Sequence, residues 1–201
     1  MKYTSSFNGK NVFFFCDDKL KDTAEFFLTI LQNEDTAYQI ISEGNNIQIG
    51  WGFFKVLQAD CGYQIVAYDL LKNPFNDVTE DLTLNLEIFA QQRKVLNDTK
   101  SVVEETSFQD TLIVHKEAFE ASQIYLQRSE PEDENDSGWY MGVIDGEDSD
   151  NPDDYEKIYT YQLIKHCKEA LSVMQLPVGT ICIFENGELI EAVDEDDNKI
   201  L

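Results

Sequence analysis

Short segments of apolar, aromatic and β-branched residues recur along this chain, and groups of turn-forming residues separate them. Such segments cover residues 11–15, 37–42, 47–57 and 63–70 in the first half, and residues 111–115, 123–127, 138–144, 180–184 and 188–193 in the second. Segments of this length bounded by Gly, Asn, Asp or Pro are typical of strands. The pair Asn186-Gly187 adds to this interpretation because it favours the positive φ angles of a tight hairpin turn.

Other segments show the spacing of amphipathic helices. Apolar residues recur every three or four positions over residues 18–33, 80–96 and 154–174, and the last of these is predicted to be the longest helix. A short helix is predicted near residues 116–122. The sequence therefore predicts an α+β fold of two small domains, with mainly antiparallel sheets each packed by one or two helices.

The polar segment 97–106, NDTKSVVEET, lacks a clear pattern and is interpreted as the connector between the domains. We place the N-terminal α+β domain, whose role is not indicated, at residues 1–105. The C-terminal α+β domain is placed at residues 106–201, where most of the negative charge lies.

The charge of the chain restricts its partners. The 201 residues include 39 acidic and 15 basic ones, for a net charge of −24. Residues 107–201 alone carry 23 acidic and 6 basic residues, a net charge of −17. Such a surface repels phosphate backbones and anionic lipids, so we predict no nucleic-acid or membrane binding. A basic protein would instead be attracted from a distance, although acidic surfaces also serve solubility alone.

The residue pattern gives no indication of catalysis. The sequence lacks a G-x-S-x-G segment, a phosphate-binding glycine loop and an H-E-x-x-H motif. The 4 cysteines are far apart, and the 2 histidines are too few for a conventional zinc site. With no apolar signal segment in MKYTSSFNGK, this cysteine usage indicates mostly buried thiols in the reducing cytoplasm. We expect a cytoplasmic, non-enzymatic protein without a cofactor.

Residues 132–156, EDENDSGWYMGVIDGEDSDNPDDYE, place an apolar segment between two acidic ones. Counted from Asp145, acidic and polar residues fall at the ligand positions of an EF-hand calcium loop. However, Asp150 stands where that loop needs glycine, Pro152 stands where it needs an apolar residue, and a strand rather than a helix precedes it. We therefore predict no metal site here, with weak calcium binding as the alternative left open.

The apolar centre of this stretch has two faces if it is a strand. Trp139 and Met141 share one face, and Tyr140 and Gly142 share the other. We predict that Trp139 packs inward against the long helix, the alternative being that it anchors an interface. The acidic residues on either side of the strand are then predicted to lie in loops. These residues either serve solubility or bind a partner.

Three features of the second half resemble one bacterial family. They are Asp136-Ser137-Gly138-Trp139, an acidic segment that contains Asn151-Pro152, and Leu176-Pro177-Val178-Gly179 before a strand. Together they resemble the immunity protein 33 family, first known as domain of unknown function 2185, over residues 108–193. The resemblance implies an immunity protein of a polymorphic toxin system, which binds and neutralises a toxin domain in the cytosol. It identifies neither the toxin nor the contact residues.

Charge and resemblance together predict a binding surface in the C-terminal domain, with a basic toxin domain, for example a nuclease, as the partner. The residues predicted to contact the partner are Asp136, Tyr140, Asp145, Glu147, Asp148, Asp150, Asp153 and Asp154. Those predicted to form the core of the motif are Gly138, Trp139, Pro177 and Gly179. The alternatives are a regulatory or scaffolding module that binds another protein through the same surface, and a divalent-metal-binding protein.

Overall fold

The computed structural model describes residues 1–144, 146, 149 and 151–201. The described residues form two compact units, Met1–Ala90 and Gln91–Leu201, each built around a six-stranded sheet. Helix α1 spans Lys21–Tyr38 in the first unit, and helix α2, Thr83–Thr99, contributes residues to both. The predicted α+β class with mainly antiparallel strands is confirmed.

The sheet of the first unit has the order β1-β2-β5-β4-β3, and β6 pairs with β5. Its strands are β1 Lys2–Phe7, β2 Lys10–Phe15, β3 Asn46–Ile49, β4 Gly52–Ala59, β5 Gly62–Tyr68 and β6 Val78–Thr79. Strands β2 and β5 are parallel, and the other pairs are antiparallel. The buried residues Phe27 and Leu31 of α1 belong to the core on one side of this sheet.

Two predictions for this unit are wrong. Residues 37–42 are not a strand, because α1 continues to Tyr38 and Gln39 then takes a left-handed conformation with φ 55°. The buried carboxylate of Asp35 holds the chain after the helix by accepting a hydrogen bond from the Ile41 amide at 2.8 Å. Residues 47–57 are not one strand either, because a two-residue turn divides β3 from β4.

The sheet of the second unit has the order β10-β7-β9-β8-β11-β12. Its strands are β7 Thr111–His115, β8 Gln123–Arg128, β9 Asp136–Val143, β10 Tyr155–Tyr159, β11 Ile181–Glu185 and β12 Glu188–Val193. Strands β7 and β9 are parallel, and the other neighbours are antiparallel. The turn between β11 and β12 is confirmed, with φ 49° at Asn186 and 82° at Gly187.

Residues 154–174 do not form the predicted long helix. They form β10, which pairs with β7, followed by two 3₁₀ helices over Thr160–Lys165 and Lys168–Val173. Apolar residues three or four positions apart suit a 3₁₀ helix, with three residues per turn, as well as an α-helix. The short helix predicted near residue 116 is also a 3₁₀ helix, Lys116–Phe119.

One face of the second sheet carries the core of its unit, and we call it the covered face. Its side chains include Leu112, Val114, Leu126, Trp139, Met141, Cys182 and Phe184, which are all buried. Buried residues of the segment after β10, among them Leu163, Leu171, Met174 and Leu176, complete this core. We call the opposite side the open face, because Ile113, Gln127 and Lys157 are exposed there.

Candidate protein-interaction surface

Neighbouring residues of strand β9 lie on opposite faces of the second sheet and have different environments. The Trp139 side chain lies on the covered face with 1% exposure, and its indole N–H donates to the Met174 carbonyl oxygen at 3.3 Å. Tyr140 lies on the open face and is partly exposed. The indole packs in a core that contains 3₁₀ helices, not the long helix that the sequence predicted.

The first three residues of the Asp-Ser-Gly-Trp motif shape the backbone at the start of β9. Asp136 accepts hydrogen bonds from the amides of Glu132 at 2.9 Å and Gly138 at 3.0 Å, one on each carboxylate oxygen. Ser137 donates to the Thr111 carbonyl oxygen at 2.7 Å and so joins β9 to β7. Gly138 has φ 73°, and a Cβ there would collide with the Ser129 carbonyl oxygen. These contacts give the motif a structural role.

Arg128 links this motif to the Leu-Pro-Val-Gly segment. Its side chain is 2% exposed, and its guanidinium donates to the carbonyl oxygens of Ser137 at 3.2 Å, Glu104 at 3.0 Å and Leu176. Burial lowers the pKa of Arg128, while the nearby Glu104 carboxylate opposes that change. The guanidinium carbon also lies 5.8 Å from the centre of the Trp139 ring. Sequence reasoning did not select Arg128, although Ile124 and Leu126 alternate with it on β8.

Pro177 and Gly179 form the turn that leads into β11. The Gly179 amide donates to the Arg128 carbonyl oxygen at 2.9 Å, and the Thr180 amide donates to the Pro177 carbonyl oxygen at 3.2 Å. Gly179 has φ 87°, and a Cβ there would lie 2.6 Å from Cβ of Glu195. Glycine is therefore required at this position by both the backbone angle and the space.

Four aromatic rings form a continuous row across the open face, which we call the tyrosine row: His115, Tyr125, Tyr140 and Tyr155. The rings of His115 and Tyr155 lie 5.2 Å apart between centres, those of Tyr155 and Tyr140 6.2 Å, and those of Tyr140 and Tyr125 5.7 Å. These residues come from β7, β8, β9 and β10, so the row crosses four adjacent strands.

The tyrosine row has apolar neighbours on the same face. Ile113 is paired with Tyr140 and is 45% exposed, and Tyr159 at the end of β10 is 39% exposed. Ile183 is paired with Tyr125 and is partly exposed. The centre of the open face thus groups aromatic and aliphatic side chains, with the exposed Gln127 and Lys157 beside them. A solvated sheet face of this acidic chain would be expected to be polar throughout.

Acidic residues lie at the two ends of the strands that carry the row. At the carboxyl end of β9, the exposed or partly exposed carboxylates are Glu117, Glu120, Asp153 and Asp154, together with Glu185 and Glu188 on β11 and β12. At the amino end of β9, they are Glu130, Glu132, Asp133, Glu134 and Asp136. The aromatic centre is therefore bordered by negative charge at both ends of the sheet.

The predicted contact residues have different environments. Tyr140 is in the row, Asp153 is exposed, and both oxygens of Asp136 accept backbone hydrogen bonds. Asp154 accepts from Ser149 and, at 3.3 Å, from Asn151, so its carboxylate orders the turn before β10. The predicted contact residues Asp145, Glu147, Asp148 and Asp150 lie outside the described residues. The Tyr155 hydroxyl connects this turn to the row by donating to the Ser149 carbonyl oxygen at 2.9 Å.

The metal-ligating residue types and the thiols of the described residues indicate whether a chemical centre accompanies this surface. Among them, no three His, Cys, Asp or Glu side chains are grouped so as to hold a metal ion. Burial raises the pKa of Cys182 to about 12 and that of Cys16 to about 11, so both thiols stay protonated and unreactive near neutral pH. All four cysteines are free, Cys61 being exposed and Cys167 partly buried. None of the helices in the described part of the chain has the length and apolar character needed to cross a membrane.

The comparison with known proteins identifies a family. The family model described as the Imm33-like domain matches residues 91–196, more than half of the chain. The match includes every strand of the second sheet, the tyrosine row and the two glycine-containing motifs. No curated protein and no solved structure matches the chain.

Proposed function

The chain belongs to the Imm33-like family, and we propose that it is an immunity protein, a non-enzymatic cytosolic protein that binds and neutralises the toxin domain of a polymorphic toxin system. The toxin domain is proposed to be basic, for example a nuclease whose cationic site otherwise holds nucleic acid. The observation that carries this proposal is the placement of carboxylates at both ends of the second sheet, in a half of the chain with a net charge of −17.

The electrostatics of this surface suit rapid capture. Clustered charges of one sign raise the rate of encounter with an oppositely charged protein, by about 10-fold to 1,000-fold at low salt. An immunity protein has to bind its toxin before the toxin reaches its substrate, so this rate matters more to it than to most binding proteins. A carboxylate surface also competes directly with phosphate groups for the same cationic residues of a nuclease.

The proposal predicts that association depends on salt and on the acidic residues that precede β10 in the sequence. The gene neighbourhood of this chain is searched for a large secreted protein with a basic C-terminal domain. That domain, purified, is the probe, and association is followed by stopped-flow fluorescence. Replacing Asp145, Glu147, Asp148 and Asp150 together with lysine is expected to slow association by about 10-fold or more at low salt. For the unchanged chain, the rate should fall steeply between roughly 50 and 500 mM salt, because the Debye length shrinks severalfold over that range.

A control variant separates local charge from total charge. Replacing Asp22, Glu25, Glu43 and Asp60 with lysine changes the net charge equally but in the first unit, where these residues are exposed. Its association rate should fall much less. Equal effects of the two variants, or a rate that is insensitive to salt, would contradict a local acidic docking surface.

A growth assay separates an immunity protein from a regulatory or scaffolding module that uses the same surface. The toxin domain is expressed in bacterial cells with and without this chain. An immunity protein restores growth in proportion to its affinity, whereas a module of the second kind binds without protecting the cells.

A further inference from the structure

The tyrosine row is a prearranged surface. Tyr125 lies over Gly142, which has no side chain; a Cβ there would lie 2.6 Å from the ring of Tyr125. The Tyr155 hydroxyl is fixed by the Ser149 carbonyl oxygen, and its ring contacts those of His115 and Tyr140. Aromatic side chains held in this way lose little conformational entropy when a partner covers them.

The core of the second unit does not require this row. Its core lies on the covered face, with Trp139 and Met141 on β9, while Tyr140 and Tyr125 remain partly exposed on the other side. Tyrosine is enriched among the residues that contribute most to binding between proteins, and such residues cluster at the centre of an interface within a polar rim. The open face of the second sheet has the same arrangement, because its aromatic centre lies between two acidic ends.

The charge around the row indicates what covers it. The acidic ends favour a cationic partner and disfavour a second copy of this chain, which would bring the same negative charge. Among cationic side chains, arginine stacks on an aromatic ring with its guanidinium plane and binds a carboxylate through two parallel hydrogen bonds. A tyrosine row bordered by carboxylates offers both kinds of contact to the same partner surface.

We propose that the tyrosine row is the anchor of the toxin interface, and that the toxin domain covers it with a surface that presents arginine side chains. This inference rests on the proposed function. The acidic ends determine how fast the two proteins meet, and the row determines how slowly they separate. The two parts of the surface therefore have different kinetic effects, and these can be measured separately.

The test uses the full chain and the same purified toxin domain, with association and dissociation rates measured by surface plasmon resonance. Replacing Tyr140 with alanine is expected to raise Kd about 30-fold, mainly through faster dissociation. The association rate and its salt dependence should change little. Gly142→Ala, which displaces the Tyr125 ring, is expected to weaken binding severalfold in the same manner. Tyr38→Ala is the matched control, because it removes a 74% exposed tyrosine ring from the first unit and should leave both rates unchanged.

A second measurement needs no variant. Oxidative footprinting of the unchanged chain should show that the toxin domain protects Tyr125, Tyr140 and Tyr155 from modification. Tyr38 is 74% exposed in the first unit and should stay reactive. Unchanged dissociation of the Tyr140→Ala variant together with unprotected row tyrosines would overturn the inference while leaving the proposed function in place.

Two further outcomes are distinguishable. If the unchanged chain neither binds nor neutralises the toxin domain, the proposed function and the inference both fall. If sedimentation shows that the chain alone forms a dimer that Tyr140→Ala dissociates, a second copy covers the row and the inference is overturned.

Discussion

The Trp139→Ala variant is expected to lose about 3–5 kcal/mol of unfolding free energy, which is the usual cost of removing a buried tryptophan from a core. Trp139 is among the largest fully buried side chains and is 1% exposed. Alanine leaves a cavity between β9 and the buried residues after β10, and it leaves the Met174 carbonyl oxygen without its indole donor. The loss is large relative to the 5–15 kcal/mol that stabilises a typical domain.

The measurement has to resolve the second unit, because a chain with two compact units need not unfold in a single step. Hydrogen exchange followed by mass spectrometry gives the stability of β7, β8 and β9 separately from that of residues 1–90. Tyr140→Ala is the matched control, since it removes an aromatic ring from the same strand on the opposite face. It should cost roughly 1 kcal/mol or less, as surface substitutions usually do. If Trp139→Ala leaves the exchange rates unchanged but abolishes toxin binding, Trp139 is an interface residue and its assignment to the core is wrong.

Replacing Arg128 with methionine is expected to destabilise the second unit by about 3–5 kcal/mol as well, because three carbonyl oxygens lose their donor. Methionine fills a similar volume, so the loss comes from polar groups. The carbonyl oxygens of Glu104, Ser137 and Leu176 lose their donor together. A buried polar group without a partner costs about 1–3 kcal/mol. The effect is to be measured by urea denaturation, with hydrogen exchange of the residues around Ser137 and Leu176.

Two controls test whether these carbonyl contacts are the cause. Glu104→Gln removes the charge of the ion pair, whose Glu104 side chain is 43% exposed, but keeps an oxygen that can accept from the Val178 amide. Its cost should be below about 1 kcal/mol, because exposed ion pairs contribute little. The loss of unfolding free energy for Arg128→Lys should lie between those for Glu104→Gln and Arg128→Met, since lysine keeps the charge but not the planar arrangement of donors. If Glu104→Gln and Arg128→Met lose similar amounts of unfolding free energy, the ion pair and not the carbonyl contacts is the cause.

The strands of the second sheet could be predicted where local signals are strong. Alternating apolar residues and turn residues located β7, β8, β9, β11 and β12 within about two residues, which is the usual uncertainty of boundaries. The hairpin at Asn186-Gly187 was predictable for the same reason, because its conformation depends on two adjacent residues.

Strand β10 could not be predicted because its apolar residues match two periods at once. Tyr155 and Tyr159 are four positions apart, which fits one face of a helix and equally fits alternate positions of a strand. Pairing with β7, which is distant in sequence, selects the strand. In the first unit, residues 37–42 are apolar enough for a strand, but the buried carboxylate of Asp35 and the helix end at Gln39 determine their path.

The same limitation applies to the proposed binding surface. Tyr140 could be assigned to the face opposite Trp139 from alternation alone. His115, Tyr125 and Tyr155 could not be placed beside it, because that requires the strand order and the parallel pairing of β7 with β9. The burial of Arg128 could be predicted from the sequence, since alternation along β8 assigns it to the same side as Ile124 and Leu126.

The alternation along β9 has a consequence for how such a protein changes partner. Ser137, Trp139 and Met141 on the covered face are buried and maintain the fold. Tyr140, with Tyr125 on the neighbouring strand, can vary without disturbing those contacts, whereas Asp136 and Gly138 shape the start of the strand. Under the proposed function, gene copies selected by different toxins are therefore expected to diverge at Tyr140 and Tyr125 and to remain alike at the buried positions of β9, so that new specificities evolve at little cost to stability.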